Sequence, residues 1–227
     1  MSALRLEIAA GSQELAAGAR SHAYHHLAAA LDFPTPQLAG AVSSGRWLAD
    51  LTALALHLPF DFEPVGSLSD GGLGYPRMQQ EYIQLFEVGP GRPFCPLYEG
   101  SHRRGRMKIM EELVRFYQHF GLRSAPGDQP DHLCVELEFM HYLAFKEAAA
   151  LTSGGEARGL ALAQEDFLAR HLIRWLPKVV ALLESRPDTP AFYGALVAIT
   201  SAFCRADLAW LRGRRENPDT EIGSLPD

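Results

Sequence analysis

The stretch from Gly127 to Ala150, GDQPDHLCVELEFMHYLAFKEAAA, constrains the fold of this chain more than any other. A polar, proline-containing turn opens there directly into a long apolar helix. Pro130 stiffens the approach, and Asp131 is expected to cap the helix by accepting from its first free N–H groups, with His132 in the first turn. From there Leu133, Leu137, Met140 and Ala144 recur at helical spacing, while Val135, Phe139, Tyr142 and Phe145 make a second apolar stripe. A helix with two such stripes must be covered on both sides, so it belongs in the middle of a bundle. Its exposed end carries an ionisable pair, Asp131 and His132, where a site can form.

The flanking chain reads as further helices. Periodic segments fall at 13–31, 37–57, 81–86 and 106–120, the last closed by Gly121, and then at 158–184, which Pro177 is expected to kink or interrupt, and at 190–212. Residues 59–76 are too rich in Pro and Gly for a regular element and read as a long surface loop. No stretch alternates as a strand would, so the expected class is all-α. The Pro-, Gly- and polar-rich segment after Gly121 divides the chain into an N-terminal subdomain, 1–121, a hinge, 122–130, and a C-terminal subdomain, 131–212. Residues 213–227 have little to bury and read as a mobile tail.

Composition narrows the function classes. A formal net charge of -6 gives no global attraction for nucleic acid or an anionic membrane surface. Cys95, Cys134 and Cys204 lie far apart with no CxxC, which indicates neither a zinc site nor a redox dithiol and fits a reducing compartment. The first thirty residues hold no apolar run of signal-peptide length, and the longest weakly polar run, 193–204, is too short to span a bilayer. A cytoplasmic protein without an integral membrane segment is expected.

The candidate chemistry is sparse. His22, His25 and His26 sit within little more than one turn but have no acidic partner at ligand spacing nearby, so they read as packing and surface residues and no metal site is expected. His57, His119, His141 and His171 look isolated. No phosphate loop, dinucleotide fingerprint or nucleophile elbow is present, and Glu111, Glu112, Glu136 and Glu138 read as helix-face carboxylates. No catalytic residue can be named. The one basic cluster, His102 to Arg106, places Arg103 and Arg104 beside Tyr98, where they could receive a carboxylate or phosphate.

Three segments, EYIQLFEVGPGRPFCPLYEGS at 81–101, PDHLCVELEFMHYL at 130–143 and FLARHLIRWLPKVVALL at 167–183 followed by Phe192-Tyr193, resemble the TorD/DmsD/NarJ-like redox-enzyme maturation chaperones. The likeness covers about 80–210. It implies an all-helical fold of two subdomains joined by a hinge, no catalysis, and binding of the twin-arginine signal peptide or N-terminus of an apo molybdoenzyme catalytic subunit until its cofactor is inserted. The molybdenum cofactor then belongs to the client, and the chaperone is a monomer or homodimer with none of its own. The family's Asp-His pair falls on Asp131 and His132, and its aromatic and Pro-x-Tyr region on Tyr82, Leu85, Phe86, Pro96, Tyr98 and Ser101. Where many members carry a further glutamate this chain has Asp128 and Gln129, and Gly100 separates Glu99 from Ser101. On chemistry, Asp128 and Asp131 are expected to meet the peptide's guanidinium groups while Tyr82, Phe86 and Tyr98 line a groove for its apolar part. A NarJ-type assembly factor for a membrane-associated nitrate reductase is a variant of the same reading. The alternative from another class is a helical GTP or nucleotide hydrolase using Asp131 with Arg103 and Arg104, against which the missing phosphate loop argues.

Overall fold

The computed structural model describes residues 13–64, 74–89, 91–123 and 129–216, and among these it contains ten α-helices, one π-helical turn and no strand. The centre is a pair of helices, α1 (Gln13–Leu31) and α7 (Leu133–Thr152), which lie along one another. Small side chains make the close approach possible: Ala17, Ala23, Ala28 and Ala30 of α1 are buried, as are Ala144 and Ala148 of α7. The first apolar stripe of α7 is covered, with Leu133, Leu137, Met140 and Ala144 all buried, whereas of the second only Phe139 is buried, Val135 and Tyr142 are partly covered, and Phe145 stands 55% exposed, so the helix is not sealed on both sides along its length.

Around that pair the chain folds in short pieces. The segment read as one helix over 37–57 is two, α2 (Pro36–Ser43) and α3 (Arg46–Ala55). Gly45, at φ 73, turns the chain between them, while Thr35 caps α2 by accepting from the Leu38 N–H at 3.1 Å. α4 (Tyr75–Tyr82) starts before the expected 81 and runs into a π-helical turn (Ile83–Glu87). After α5 (Glu99–His102), a single turn, α6 (Arg106–His119) ends as its sequence implied. Gly121 adopts φ 76, and the Leu122 N–H reaches back to the Tyr117 carbonyl at 2.9 Å.

The later helices depart from the sequence reading in two places. The break in 158–184 falls at His171, between α8 (Arg158–Arg170) and α9 (Leu172–Glu184), while Pro177 lies inside α9. His171 is fully buried against Glu99, and that contact fixes where the chain turns. The last helix, α10 (Ala191–Glu216), runs through Gly213, so residues 213–216 are helix rather than tail. Arg214 holds this end, donating to Glu147 at 2.5 Å and to Gln13 at 3.1 Å. Residues 217–227 and 124–128, the latter the middle of the expected hinge, lie outside the described residues. By length and composition α10 could cross a membrane, but 56% of its most apolar stretch is buried within the protein, as befits a core helix.

A polar network sits inside this bundle. Arg20 is wholly buried and donates to Asp207 at 2.6 and 3.1 Å, to Glu147 at 2.9 Å and to Gln164 at 2.5 Å, joining α1 to α10, α7 and α8. Tyr24 adds a 2.6 Å hydrogen bond to Asp207. With Arg214 on the second oxygen of Glu147, two buried carboxylates face two guanidinium groups. Pairing of this kind is what allows ionised groups to be held out of water at all.

Candidate functional site

The proline-rich turn after the π-helical segment is fastened at both ends. The Cys95 N–H donates to the Leu85 carbonyl at 2.8 Å, anchoring the turn to the core. Downstream, the Leu133 N–H donates to Leu97 and the Glu99 N–H to Asp131, both at 2.8 Å, so Tyr98 and His132 form an isolated antiparallel bridge. Their rings meet edge to face with centroids 4.8 Å apart. Tyr117 supports the same corner from α6, its hydroxyl donating to the Pro130 carbonyl at 2.8 Å. Two segments thirty residues apart in sequence thus share one edge, which brings Pro96, Tyr98 and Ser101 beside Asp131 and His132.

The acid of the pair does not cap the helix. α7 begins at Leu133, and His132 is its cap, with Nδ1 accepting from the Cys134 N–H at 3.2 Å. That bond leaves the ring proton on Nε2. Burial lowers the pKa of His132, opposed by the charges of Asp32 and Asp131, so the neutral ring is favoured. Asp131 is drawn elsewhere. Its Oδ2 accepts from the Gly100 N–H at 3.1 Å and lies 3.6 Å from Nε of Arg106, while Oδ1 is buried without a hydrogen-bond partner. Gly100 is what permits this approach: a Cβ there would stand 2.8 Å from Asp131 Oδ2 and 2.4 Å from Arg106 Cγ. The glycine inserted between Glu99 and Ser101 is therefore the seat of the buried carboxylate.

Beneath the turn lies a second buried acidic pair. Glu99 accepts from His171 Nδ1 at 2.8 Å and is paired with Arg103, whose guanidinium also reaches the Arg170 carbonyl at 2.9 Å. Glu136, on α7, accepts from the indole N–H of Trp175 at 3.2 Å. Burial, and then the charge of Glu99, raise the Glu136 carboxyl well above the usual carboxylate range. Neither Glu136 nor His171 is the surface or isolated residue that its sequence context implied.

The other sequence-named residues separate into three groups. Gln129 stays with the site, its side-chain oxygen accepting from Arg106 at 2.9 Å, and Asp128 lies outside the described residues. Tyr82, Leu85 and Phe86 are at most 2% exposed; Tyr82 and Phe86 meet Tyr193 edge to face, so all three hold up the turn from below rather than line a surface. Arg103 points inward to Glu99, which leaves Arg104 as the exposed member of the basic pair. Two carboxylates that the sequence did not single out complete the edge. Asp32 acts on His132 and Glu87 on Tyr98, whose phenol is raised first by burial and then by that charge. Both carboxylates are exposed, and each precedes an exposed apolar residue, Phe33 and Val88. Neither could be found by spacing, because Asp32 comes within electrostatic range of His132 only through the packing of α1 on α7.

The larger open cleft lined by Thr52, Leu56, Phe60 and Phe62 shares no residue with this edge. A sequence model of the family described as nitrate reductase delta subunit matches residues 49–181, which include the whole Tyr98–His132 corner. The chain is similar to the chlorate reductase assembly chaperone protein of Ideonella dechloratans, 44% identical over 131 residues, which are 56% of this chain and 68% of that protein. It is also similar to the perchlorate reductase assembly chaperone protein of Dechloromonas aromatica, 33% identical over 199 residues, which are 84% of this chain and 88% of that protein. A more distant likeness is to the chaperone protein TorD of Vibrio parahaemolyticus, 28% identical over 123 residues, covering 53% of this chain and 56% of that protein.

Proposed function

The chain belongs to the nitrate reductase delta subunit family, and from that premise we propose that it is an assembly chaperone for a molybdenum-cofactor oxidoreductase. On this reading it acts in the cytoplasm and is not itself an enzyme. It takes hold of the leader or N-terminal segment of the unfinished catalytic subunit and releases it once the cofactor is in place. The relatives named as assembly chaperones for chlorate and perchlorate reductases support the class of client.

One observation carries the choice of surface. The Tyr98–His132 bridge sets two rings side by side at a solvent edge flanked by the carboxylates of Asp32 and Glu87. A leader of the twin-arginine type presents two guanidinium groups and then an apolar stretch, and such a ligand needs accessible carboxylates next to apolar and aromatic surface. Asp131, sealed beneath Arg106 and Gly100, fixes the edge in place, while Asp32 and Glu87 meet the peptide with Phe33 and Val88 alongside. Ordering a flexible peptide costs about 2–5 kcal/mol, which keeps the complex reversible.

Calorimetry with a synthetic twin-arginine leader from a molybdenum-cofactor oxidoreductase tests this. The parent protein is expected to bind saturably, with the Asp32→Asn/Glu87→Gln double variant weaker by about tenfold, roughly 1.4 kcal/mol shared between two exposed charge contacts. A folded parent that ignores the peptide overturns the reading, and a double variant that binds as the parent does removes the site.

A further inference from the structure

The three clustered histidines of α1 acquire a partner that no local spacing reveals. His22 and His25 stand three residues apart on α1, and Glu138 and His141 three apart on α7, so each pair projects from one side of its helix. The packing of α1 along α7 brings the sides together. Nδ1 of His25 lies 2.8 Å from Oε1 of Glu138, the rings of His25 and His141 are 5.1 Å apart, and one ligand atom each from His25, Glu138 and His141 falls within 4.8 Å of the others. The expectation that these histidines lack an acidic neighbour fails because the acid comes from 113 residues further along the chain.

His141 is fixed through one of its ring nitrogens. Its Nδ1 lies 3.0 Å from the backbone carbonyl of Ser21, which can only accept, and 2.9 Å from the Ser21 hydroxyl. That hydroxyl donates in turn to the His141 carbonyl at 3.2 Å. A proton on Nδ1 leaves the lone pair on Nε2, and an imidazole pinned through Nδ1–H to a carbonyl is the usual outer-shell support of a metal-binding histidine. The Ser21 contacts are thus a second observation, independent of the cluster itself.

We propose that His25, Glu138 and His141 form a site for a divalent transition-metal ion of the zinc class, bridging α1 and α7. Two imidazoles and one carboxylate suit Zn²⁺, Ni²⁺ or Co²⁺ rather than the all-oxygen sets of Mg²⁺ and Ca²⁺, and three protein ligands leave the remaining positions to water. Both His25 and Glu138 are about half exposed, so the ion enters from solvent without the bundle opening. Bound there, it clamps the central helix pair in the folded state only and stabilises the protein by mass action.

The test uses the full chain without an affinity tag, titrated with ZnCl₂ by calorimetry and with CoCl₂ by absorption. One equivalent is expected to bind, raising the Tm by about 5 °C at a hundredfold excess over Kd. His25→Gln and Glu138→Gln, both on exposed positions that leave the fold intact, are each expected to weaken Zn²⁺ at least tenfold; His141→Ala, checked for folding by circular dichroism, is expected to do the same. The Co²⁺ complex is expected to show visible d–d bands without thiolate charge transfer. Binding that survives His25→Gln and Glu138→Gln unchanged overturns the proposal, as does a strong near-ultraviolet thiolate band, which would place the ion on a cysteine instead.

Discussion

At the scale of single residues, the edge is supported from beneath by carboxylates that the fold keeps out of water, and each answers to a different neighbour. Asp131 is compensated by the Gly100 N–H and by Arg106, and Glu99 by His171 and Arg103. Glu136 accepts from the Trp175 indole, and burial with the adjacent Glu99 charge pushes its carboxyl well above the ordinary value of 4.5. A folded-state pKa above the unfolded one gives a contribution that is complete below the unfolded value and is lost as pH rises through the folded value. Each pH unit over which only the folded chain keeps that proton costs about 1.4 kcal/mol. Glu136→Gln, neutral at every pH and nearly the same shape, is therefore expected to melt above the parent at pH 7, with the difference shrinking towards pH 4. Thermal melts across that range decide it, and parallel curves for the two proteins would mean that Glu136 titrates alike in the folded and unfolded chain. The Asp-His pair itself was legible in the sequence, but the roles within it were not. Aspartate is the better helix cap by preference, yet a backbone donor and a guanidinium thirty residues upstream draw it away, and His132 takes the cap.

At the scale of elements, helix existence followed from periodicity while helix ends followed from contacts that periodicity cannot see. Gly121 closes α6 by taking the left-handed conformation, from which the Leu122 N–H returns to the Tyr117 carbonyl. Gly213 does not close α10, since a helical glycine costs only about 1 kcal/mol and the ion pair of Arg214 with Glu147 lies beyond it. Pro177 lies inside α9 despite its missing N–H, while the chain breaks at His171, where a buried imidazole reaches Glu99. The resemblance read in the segments at 81–101 and 130–143 falls within the matched family range, so the motifs located the right elements even where their side chains had other tasks. α1 was the least legible. Its Arg20, which no spacing singles out, is the hub that four helices share. Arg20→Met keeps the volume but takes the guanidinium from buried Asp207, leaving it the Tyr24 hydroxyl, and one of two guanidinium partners from Glu147, so a loss of about 3–5 kcal/mol is expected. That corresponds to a Tm lower by about 6–20 °C at this chain length. A variant within 2 °C of the parent would show that the two carboxylates find protons or water and that the hub is dispensable.

At the scale of the molecule, the question is whether the halves before and after residues 122–130 are independent folding units. One cluster of buried residues runs through both, from Tyr24 and Trp47 to Leu137, Trp175 and Phe203, and the longest helix-on-helix interface joins α1 of the first half to α7 of the second. The Arg20 network and the Tyr98–His132 bridge cross the same division. Because neither half buries its own apolar face without the other, the chain is expected to unfold in urea as one cooperative unit. The tryptophans allow a direct reading: Trp47 lies in the first half, and Trp175 and Trp210 lie in the second. In a Trp175→Phe/Trp210→Phe variant, fluorescence follows the first half alone while far-ultraviolet circular dichroism follows all helices. The two midpoints are expected to coincide within about 0.3 M, with a single slope set by the surface that the whole chain exposes. Midpoints further apart would establish separable subdomains, and the edge at Tyr98 and His132, which needs both halves to exist, would then open whenever the weaker one melts. Coincident midpoints tie that edge to the stability of the entire fold, so the proposed peptide surface persists as long as the chain is folded.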